Sequence, residues 1–338
     1  MFGLSEILLR ASFLQSYLNQ IVPSLGSRHH QMELQLARLE QLYNSEGSVD
    51  CIFLGSSLTW LGFNANVFNE EFSSITGQDI RCTNLGIETL PANAAGELAE
   101  IVINRYQPRL LIYGTSARDY AVTIDSEDTH AVLDTPWLRY QLGHHSALGW
   151  LYSYSYLLRY AQMMSSLVHL DRDSLQEIGS SANDLSGFLG KTRPAQEIHY
   201  QAAAKDAQRW LQPYEIRQEN VDGLEQVLDE QSVETQVIIV EMPVNQSYFD
   251  YFENGKSDYD RFVTQVASTT SSRDILFIRT SDSLQVQDEG WWDRSHMNMK
   301  GAEFFSTWLG DKIAQAVLEG NLVLSDSPGD EASADQSN

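Results

Sequence analysis

An apolar run that stops at a glycine and two serines limits the possible folds of this chain more than any other stretch. Residues 49–54 read Val-Asp-Cys-Ile-Phe-Leu, and Gly55, Ser56 and Ser57 follow at once. A run of this kind predicts a buried strand, and the glycine permits a sharp turn after it. Open α/β folds keep their ligand sites at the carboxyl ends of the strands. The pattern therefore predicts that a serine hydroxyl lies at the ligand-binding edge of a parallel sheet.

Four further segments predict strands that alternate with helices. We place the strands at 79–85, 109–113, 235–241 and 274–279, and helices at 91–106, 259–269 and 300–318. This alternation is typical of a parallel sheet covered on both faces and joined by right-handed crossovers. We therefore predict an α/β fold, a flavodoxin-like three-layer α/β/α sandwich with a five-stranded parallel sheet.

The alternation breaks in the middle of the chain, which predicts an insertion. Residues 121–234 have a mostly helical pattern without a clear βα unit, and we expect them to lie over the active-site edge of the sheet. The α/β domain then comprises residues 49–120 and 235–320. Residues 1–48 predict N-terminal helices, and residues 321–338 form an acidic tail whose composition predicts disorder.

Composition excludes several classes of protein. The net charge of −24 leaves no basic face for nucleic acid. No apolar run approaches the roughly 18 residues of a membrane span, and the lack of a signal-peptide pattern predicts a cytoplasmic protein. Cys51 and Cys82 each lie in an apolar stretch, so we expect two buried thiols rather than a disulfide. We find no phosphate-binding or dinucleotide fingerprint and no metal-ligand spacing, and we predict no cofactor and no metal.

A carboxylate and an imidazole lie three residues apart before the last predicted helix. These are Asp293 and His296, which follow Trp291 and Trp292. A serine hydroxyl is a weak nucleophile until a base takes its proton; His296 has suitable basicity, and Asp293 would fix its tautomer. The spacing thus predicts a Ser-His-Asp triad with Ser57. The alternative is that Asp293 only caps the final helix and His296 is a surface residue.

Two more loops follow predicted strands and would reach the same edge. The second strand ends in Asn84-Leu85-Gly86, and the third ends in Gly-Thr-Ser at residues 114–116. A tetrahedral oxyanion needs hydrogen-bond donors placed where its charge develops. We expect the backbone N–H groups of Ser57 and Gly86 and the hydroxyl of Ser116 to provide them.

These four loops, in this order, resemble the sequence blocks of the SGNH (GDSL-like) hydrolase superfamily. The family's Gly-Asp-Ser-Leu block reads Gly-Ser-Ser-Leu at residues 55–58, and the resemblance implies that Ser57 is the nucleophile. Gly86 matches the oxyanion glycine of the second block. Asp293 and His296 match the last block, Asp-x-x-His, without change.

The third block departs from the family pattern. Ser116 stands where the family has its oxyanion asparagine. The Gly-Ser-Ser opening at residues 55–57 and the Gly-Thr-Ser-Ala-Arg-Asp string at residues 114–119 resemble a divergent branch. That branch includes the D-alanyl-lipoteichoic acid protein D, alginate O-acetylation proteins and a cyanobacterial SGNH-like domain of unknown function. The resemblance implies a serine O-acyl esterase or acyltransferase acting on acetyl esters of a saccharide or cell-surface polymer.

Several residues near these blocks have two interpretations. Arg118 and the adjacent Asp119 either form an ion pair that fixes the third loop, which we favour, or recognise substrate. Trp292 and its neighbour Trp291 either stack on a sugar ring or pack in the core. A helical stripe of Trp150, Tyr154 and Leu158, thickened by Leu151 and Tyr160, predicts the core of the insertion rather than an acyl pocket.

A non-enzymatic interpretation also remains open. Without the asparagine of the third block, the fold would serve as a catalytically degenerate binding or assembly protein. Its protein partner would then dock on the N-terminal helices or on the insertion.

Overall fold

The computed structural model describes residue 9 and residues 24–27, 29–167, 186–192, 195 and 197–325. Apart from residue 9, the helix predicted before residue 24 lies outside these ranges. So does the acidic tail beyond Ser325.

Five parallel strands form one sheet, as predicted. They are β1 (Cys51–Gly55), β2 (Cys82–Gly86), β3 (Leu110–Thr115), β4 (Gln236–Glu241) and β5 (Phe277–Ile278). Their order in the sheet is β2-β1-β3-β4-β5, and every neighbouring pair is parallel. This is the order of a flavodoxin-like fold, whose ligand site lies where the strand order reverses, beside β1 and β3.

Helices cover both faces of the sheet. The α-helices are α1 (His30–Glu46), α2 (Ser57–Gly62), α3 (Ala65–Thr76), α4 (Ala92–Tyr106), α5 (Ala117–Ala121), α6 (Glu127–Leu133), α7 (Pro136–Gln141), α8 (Ala147–Tyr154), α9 (Tyr156–Leu167), α10 (Glu197–Leu211), α11 (Gln218–Asp229), α12 (Lys256–Ser271) and α13 (Met299–Leu318). Short 3₁₀ turns span Gln246–Tyr251, Thr280–Asp282 and Asp288–Gly290. Within the described ranges, no helix has both the length and the apolar character needed to cross a bilayer.

The sheet has a separate apolar core on each face, because successive strand residues point to opposite sides. Ile52 and Leu54 of β1 pack in the core that also holds residues of α1, α4, α11 and α12. Phe53 of β1 and Ile112 of β3 pack in the second core, with α3 and α13. The result is the predicted three-layer sandwich.

The insertion contributes directly to one of these layers. Helix α11 falls within the predicted insertion at 121–234, yet it packs along α4. Its Val221, Leu224 and Val227 are buried in the same core as Ile52. In contrast, the stripe predicted as insertion core is buried only in part: Trp150 is 52% exposed and Tyr154 is 53% exposed, whereas Tyr160 is buried and Leu158 packs against the core. The prediction holds for the part of the stripe in α9 and is wrong for the part in α8.

A disulfide joins the first two strands, which corrects the prediction of two unpaired thiols. Cys51 and Cys82 lie directly opposite each other in the β1–β2 ladder. Their Cα atoms are 4.2 Å apart, and their sulfurs are bonded. The two stretches were correctly predicted as buried strands, but the pairing depends on a strand register that the sequence does not reveal.

Gly86, at the end of β2, has no room for a side chain. A Cβ there would lie 2.2 Å from the backbone nitrogen of Trp60 and 2.5 Å from its Cα. Backbone atoms cannot move aside cheaply, so we expect Gly86→Ala to lower the free energy of unfolding by about 2–3 kcal/mol. Urea denaturation would measure this change.

Gly47→Ala is the control for that substitution. Gly47 has φ 75°, and no atom of the described ranges lies within 4 Å of the position that a Cβ would occupy. Only the left-handed backbone would therefore oppose alanine, at about 1 kcal/mol. A Gly86→Ala protein as stable as the wild type would contradict the close approach to Trp60.

Candidate active site

The end of β1 brings Ser57 to the carboxyl edge of the sheet. Gly55 ends the strand, Ser56 stays extended with φ −83° and ψ −163°, and Ser57 is the first residue of α2. Because β1 lies between β2 and β3, this turn is flanked by loops from both neighbours. The Ser57 side chain is half-buried, and the N–H of a first helical residue has no acceptor within its own helix.

The loop after β5 is folded by Asp293. Its Oδ1 accepts hydrogen bonds from the backbone N–H groups of Ser295 and His296, both at 2.7 Å, and from the Ser295 hydroxyl at 3.1 Å. The carboxylate therefore shapes the turn that carries the imidazole. Helix α13 is capped by Asn298, whose Oδ1 accepts from the N–H of Lys300 at 2.9 Å. Asp293 is thus not the cap of the final helix.

Ser57, His296 and Asp293 form a continuous row of hydrogen bonds. Ser57 Oγ lies 2.9 Å from His296 Nε2, and His296 Nδ1 lies 2.8 Å from Asp293 Oδ2. An ionised carboxylate only accepts, so it selects the tautomer with the proton on Nδ1 and leaves Nε2 to accept from the serine. The structure brings together the three residues that the sequence predicted as a triad, across 239 positions of chain.

The electrostatics of the row favour an ionised Asp293. The side chain is 2% exposed. Burial raises the pKa of Asp293, but attraction to His296 and the hydrogen bonds from His296 and Ser295 outweigh burial and hold this pKa below its ordinary value. A buried carboxylate beside an imidazole stabilises the imidazolium that forms when the ring takes a proton.

The loop after β2 holds the loop after β1 in place and does not offer the backbone N–H of Gly86 as a free hydrogen-bond donor. Asn84 donates through Nδ2 to the carbonyls of Thr59 and Phe63, at 2.8 and 2.7 Å. Its Oδ1 accepts the N–H of Gly86 at 2.8 Å. The N–H that was predicted to bind an oxyanion is therefore bonded within the protein, and Asn84 fixes α2 rather than facing substrate.

Ser116 lies at the end of β3 and is bonded to Asp119. Its hydroxyl donates to Asp119 Oδ2 at 2.8 Å, and its backbone N–H donates to the same oxygen at 3.1 Å. Asp119 is almost completely buried. Burial raises the pKa of Asp119 to about 7, although Arg118 and the hydroxyls of Ser116 and Ser56 lower it.

Arg118 forms ion pairs with the insertion. Its guanidinium bonds Asp206 of α10 and Asp128 just inside α6, each at 2.8 Å, and its Nη1 lies 3.5 Å from the carbonyl oxygen of Thr89. The expected ion pair exists, but with these two aspartates instead of the adjacent Asp119. The backbone of Thr89 has φ 55°, an uncommon conformation for a β-branched residue. No sequence pattern had indicated Thr89.

Trp292 packs against the imidazole. Its ring centroid lies 5.7 Å from that of His296, with the ring planes 70° apart, and Lys191 Nζ lies 5.7 Å from the same ring. Its carbonyl accepts from the N–H of Ala195 and the hydroxyl of Tyr200. Trp292 is half-buried, so it both supports His296 and joins the insertion to the 293–296 loop.

A cleft of about 800 Å³ lies beside this loop. Asp293 and Arg294 form part of its wall, and Trp291 and Tyr200 add aromatic surface. Lysine, carboxylate, amide and hydroxyl side chains and one methionine complete the lining. The cleft is large enough for a small polar ligand; of the hydrogen-bonded row only Asp293 lines it, and Ser57 and His296 do not. Among the described residues, no group of three or more His, Cys, Asp or Glu side chains is arranged to hold a metal ion.

Comparisons with known proteins give no family for this chain. No family model matches it, and no curated protein matches it. Solved structures with a similar arrangement include a carbohydrate acetylesterase family member from Sinorhizobium meliloti, with 10% identity, a TM-score of 0.39 and coverage of 79% of this chain and 98% of that one. A lipase/acylhydrolase from Enterococcus faecalis has 9% identity and a TM-score of 0.38, covering 82% and 100%.

A third similar structure is the native aryl esterase of M. smegmatis. It has 13% identity and a TM-score of 0.36, and the alignment covers 79% of this chain and 99% of that one. Because the identities and TM-scores are this low, the likeness to these enzymes does not bear on the function of this chain.

Proposed function

We propose that this chain is a serine O-acyl esterase or O-acyltransferase. The observation that carries the proposal is the hydrogen-bonded row in which Ser57 Oγ contacts His296 Nε2 and His296 Nδ1 contacts the buried Asp293. A nucleophile, a base and a group that orients the base within hydrogen-bond reach of one another are the signature of activated serine catalysis. The order of the four loops and their resemblance to the SGNH hydrolases support the same reaction class.

The first half of the reaction transfers the acyl group to the enzyme. Ser57 Oγ attacks the ester carbonyl carbon while its proton passes to His296 Nε2. The tetrahedral intermediate then collapses, and the imidazolium proton goes to the departing alkoxide oxygen, which leaves an acyl ester on Ser57. Asp293 stays ionised and stabilises the imidazolium.

The second half releases the acyl group. His296 takes a proton from water or from an acceptor hydroxyl, whose oxygen attacks the acyl carbon. The Ser57 oxygen then leaves and recovers its proton from His296 Nε2. Water gives hydrolysis, and a sugar hydroxyl gives transfer. The Ser57 N–H remains the backbone donor we assign to the oxyanion.

We propose acetylated saccharides as the substrate class. The cleft beside Asp293 combines two aromatic side chains, Trp291 and Tyr200, with amides and charged groups of both signs. Aromatic faces and dense polar groups suit sugar rings better than long acyl chains. This assignment is finer than the reaction class and is tested separately, by comparing acetylated sugars with long-chain esters.

The compartment of this reaction is a further part of the proposal. Disulfides persist in oxidising compartments and are rare in the cytosol. The Cys51–Cys82 disulfide therefore fits an oxidising compartment better than the cytoplasm predicted from the sequence. A free-thiol assay on protein isolated under alkylating conditions from its natural source would decide between the two.

The direct test of the reaction class is intact mass after treatment with a fluorophosphonate probe. We expect wild type to gain one adduct, formed when Ser57 Oγ displaces fluoride from phosphorus. Ser57→Ala should gain none, and Ser56→Ala should be labelled like wild type, because Ser56 Oγ is buried and makes no hydrogen bond to His296. An adduct that persists in Ser57→Ala would assign the reactivity to another residue.

A second candidate function is protein binding, and the exposed face of α8 favours it. Leu148, Trp150 and Tyr154 are each about half exposed, and aromatic side chains are enriched at interfaces. A folded protein that gives no Ser57 adduct and no ester turnover, but whose mass in solution depends on Trp150, would favour this role.

A further inference from the structure

The buried carboxyl of Asp119 lies outside the hydrogen-bonded row of Ser57, His296 and Asp293. It connects the loop after β1 with the loop after β3. Asp119 Oδ2 accepts both hydrogen bonds from Ser116, whereas Oδ1 has no hydrogen-bond partner among the described residues. The hydroxyl of Ser56, the residue before Ser57, is also buried, and the part of the chain that the structure describes gives it no hydrogen-bond partner. The Ser56 hydroxyl lowers the pKa of Asp119, so it lies near this carboxyl. A buried hydroxyl and a buried carboxyl oxygen can satisfy each other with the proton of Ser56 or with an acid proton of Asp119.

The surroundings of Asp119 neutralise its charge only in part. Arg118, its neighbour, attracts the carboxylate and lowers its pKa, but the guanidinium is hydrogen-bonded to Asp128 and Asp206. The other titratable side chains that respond to Asp119 are tyrosines from β3, α5 and the segments that cover them: Tyr113, Tyr120, Tyr214 and Tyr248. Burial is the largest influence and raises the pKa of Asp119 to about 7. The carboxyl therefore changes its charge in the ordinary range of assay pH.

The ionised form of Asp119 would oppose ester chemistry. A hydroxyl has a single proton to donate, and a carboxylate holds such a proton about twice as strongly as a neutral acceptor does. The Ser116 hydroxyl is then not free to turn toward an oxyanion. The carboxylate also places a negative charge in a dry site, where it repels the developing negative charge of a tetrahedral intermediate.

The protonated form removes both obstacles. An acid proton on Oδ1 can donate to Ser56 Oγ, which satisfies the two orphan oxygens at once. The neutral Oδ2 still accepts the Ser116 N–H, but it competes only weakly for the Ser116 hydroxyl. That hydroxyl can then donate to an oxyanion beside Ser57.

We propose that Asp119 is a positioning residue that must carry a proton for the Ser116 hydroxyl to stabilise the oxyanion, so that it couples the first loop to the third. This inference rests on the proposed esterase or acyltransferase function. Ser116 then donates to the oxyanion only while Asp119 is protonated. It stands at the position where the SGNH sequences that this chain resembles have an asparagine.

The expected consequence is a loss of activity on the alkaline side. A raised carboxyl pKa means that the proton is present below about pH 7 and is lost as the pH rises through that value. Two pH units above the midpoint, about 1% of the protein keeps the proton, so kcat/KM should fall about 100-fold. Asp119→Asn cannot ionise; its carboxamide oxygen can accept from Ser116, and its NH₂ can face Ser56. The variant should lose this alkaline decrease.

The test compares kcat/KM for p-nitrophenyl acetate from about pH 5.5 to about pH 9 in wild type, Asp119→Asn and Asp206→Asn. Asp206→Asn is the matched control, because it removes a carboxylate bound to Arg118 but far along the chain from Ser116. An alkaline decrease that disappears only in Asp119→Asn supports the inference. A decrease that persists in Asp119→Asn overturns it.

A second readout does not depend on turnover. Side-chain carboxyl ¹³C resonances of aspartate-labelled wild type can be titrated by NMR, and the resonance missing from Asp119→Asn identifies Asp119. A midpoint near 7 supports the protonated carboxyl even in a protein without esterase activity, in which case only the proposed function has failed. A midpoint below about pH 5 overturns the inference even if the enzyme is active, since an aspartate in water titrates at about 3.9.

Discussion

Replacement of Ser57 by alanine is expected to lower kcat for ester turnover by at least about 10⁴-fold and up to about 10⁶-fold, the range found when a member of a serine triad is removed. Ser57 Oγ is the atom in contact with His296 Nε2, and alanine leaves nothing to attack the ester. The fold should be unaffected, because Ser57 is half-buried at the start of α2 and alanine is a good helix former.

Ser56→Ala provides the matched control for this experiment. It removes the same hydroxyl from the preceding residue, whose Oγ makes no hydrogen bond within the described residues, and it should lower kcat far less. The measurement is initial-rate kinetics, with thermal unfolding to verify the fold. A well-folded Ser57→Ala protein that retains wild-type turnover would remove Ser57 from the mechanism.

The fold was predictable because strand composition and alternation with helices are local signals. The run at 235–241 is rich in β-branched residues, and its strand is Gln236–Glu241. The last strand was predicted over 274–279, but only Phe277–Ile278 pairs. It lies at the edge of the sheet beside β4 alone, so few neighbours define its ends. Edge pairing depends on tertiary contacts, which the sequence pattern does not contain.

The row of Ser57, His296 and Asp293 was predictable for a topological reason. Residues that follow parallel strands meet at one edge whatever their separation in sequence. In contrast, the sequence did not predict whether the hydrogen-bond donors expected for the oxyanion are free. Gly86 follows Asn84 by two residues, a spacing at which an asparagine side chain can bond the backbone N–H ahead of it. In the structure, Asn84 Oδ1 accepts the hydrogen bond from the Gly86 N–H, so the donor predicted for the oxyanion is already bonded within the protein.

Burial accounts for the other differences between the predictions from the sequence and the observed structure. Arg118 and Asp119 are adjacent and of opposite charge, so an ion pair between them was one interpretation. In the fold the guanidinium reaches α10 and the start of α6, while the carboxyl turns toward Ser116. Which neighbour a charged side chain meets, and how dry the site is, follow from the packing of distant segments. The pKa of Asp119 therefore could not be predicted from its sequence context.

Replacement of Asp293 by asparagine is expected to lower kcat by about 10⁴-fold, as in other triads that lose this carboxylate while keeping its shape. The hydrogen bonds of the loop give the reason. Oδ1 holds the N–H groups of Ser295 and His296, so an asparagine would keep its oxygen there and turn its NH₂ toward His296 Nδ1. An NH₂ donates where the carboxylate accepted. The imidazole proton would then move to Nε2, which could no longer accept the proton of Ser57.

Asp125→Asn, a change of an exposed aspartate that does not line the cleft, is the control and should retain activity within about threefold. Initial-rate kinetics and fluorophosphonate labelling rates measure both variants. A folded Asp293→Asn protein within tenfold of wild type would show that this carboxylate does not set the tautomer of His296.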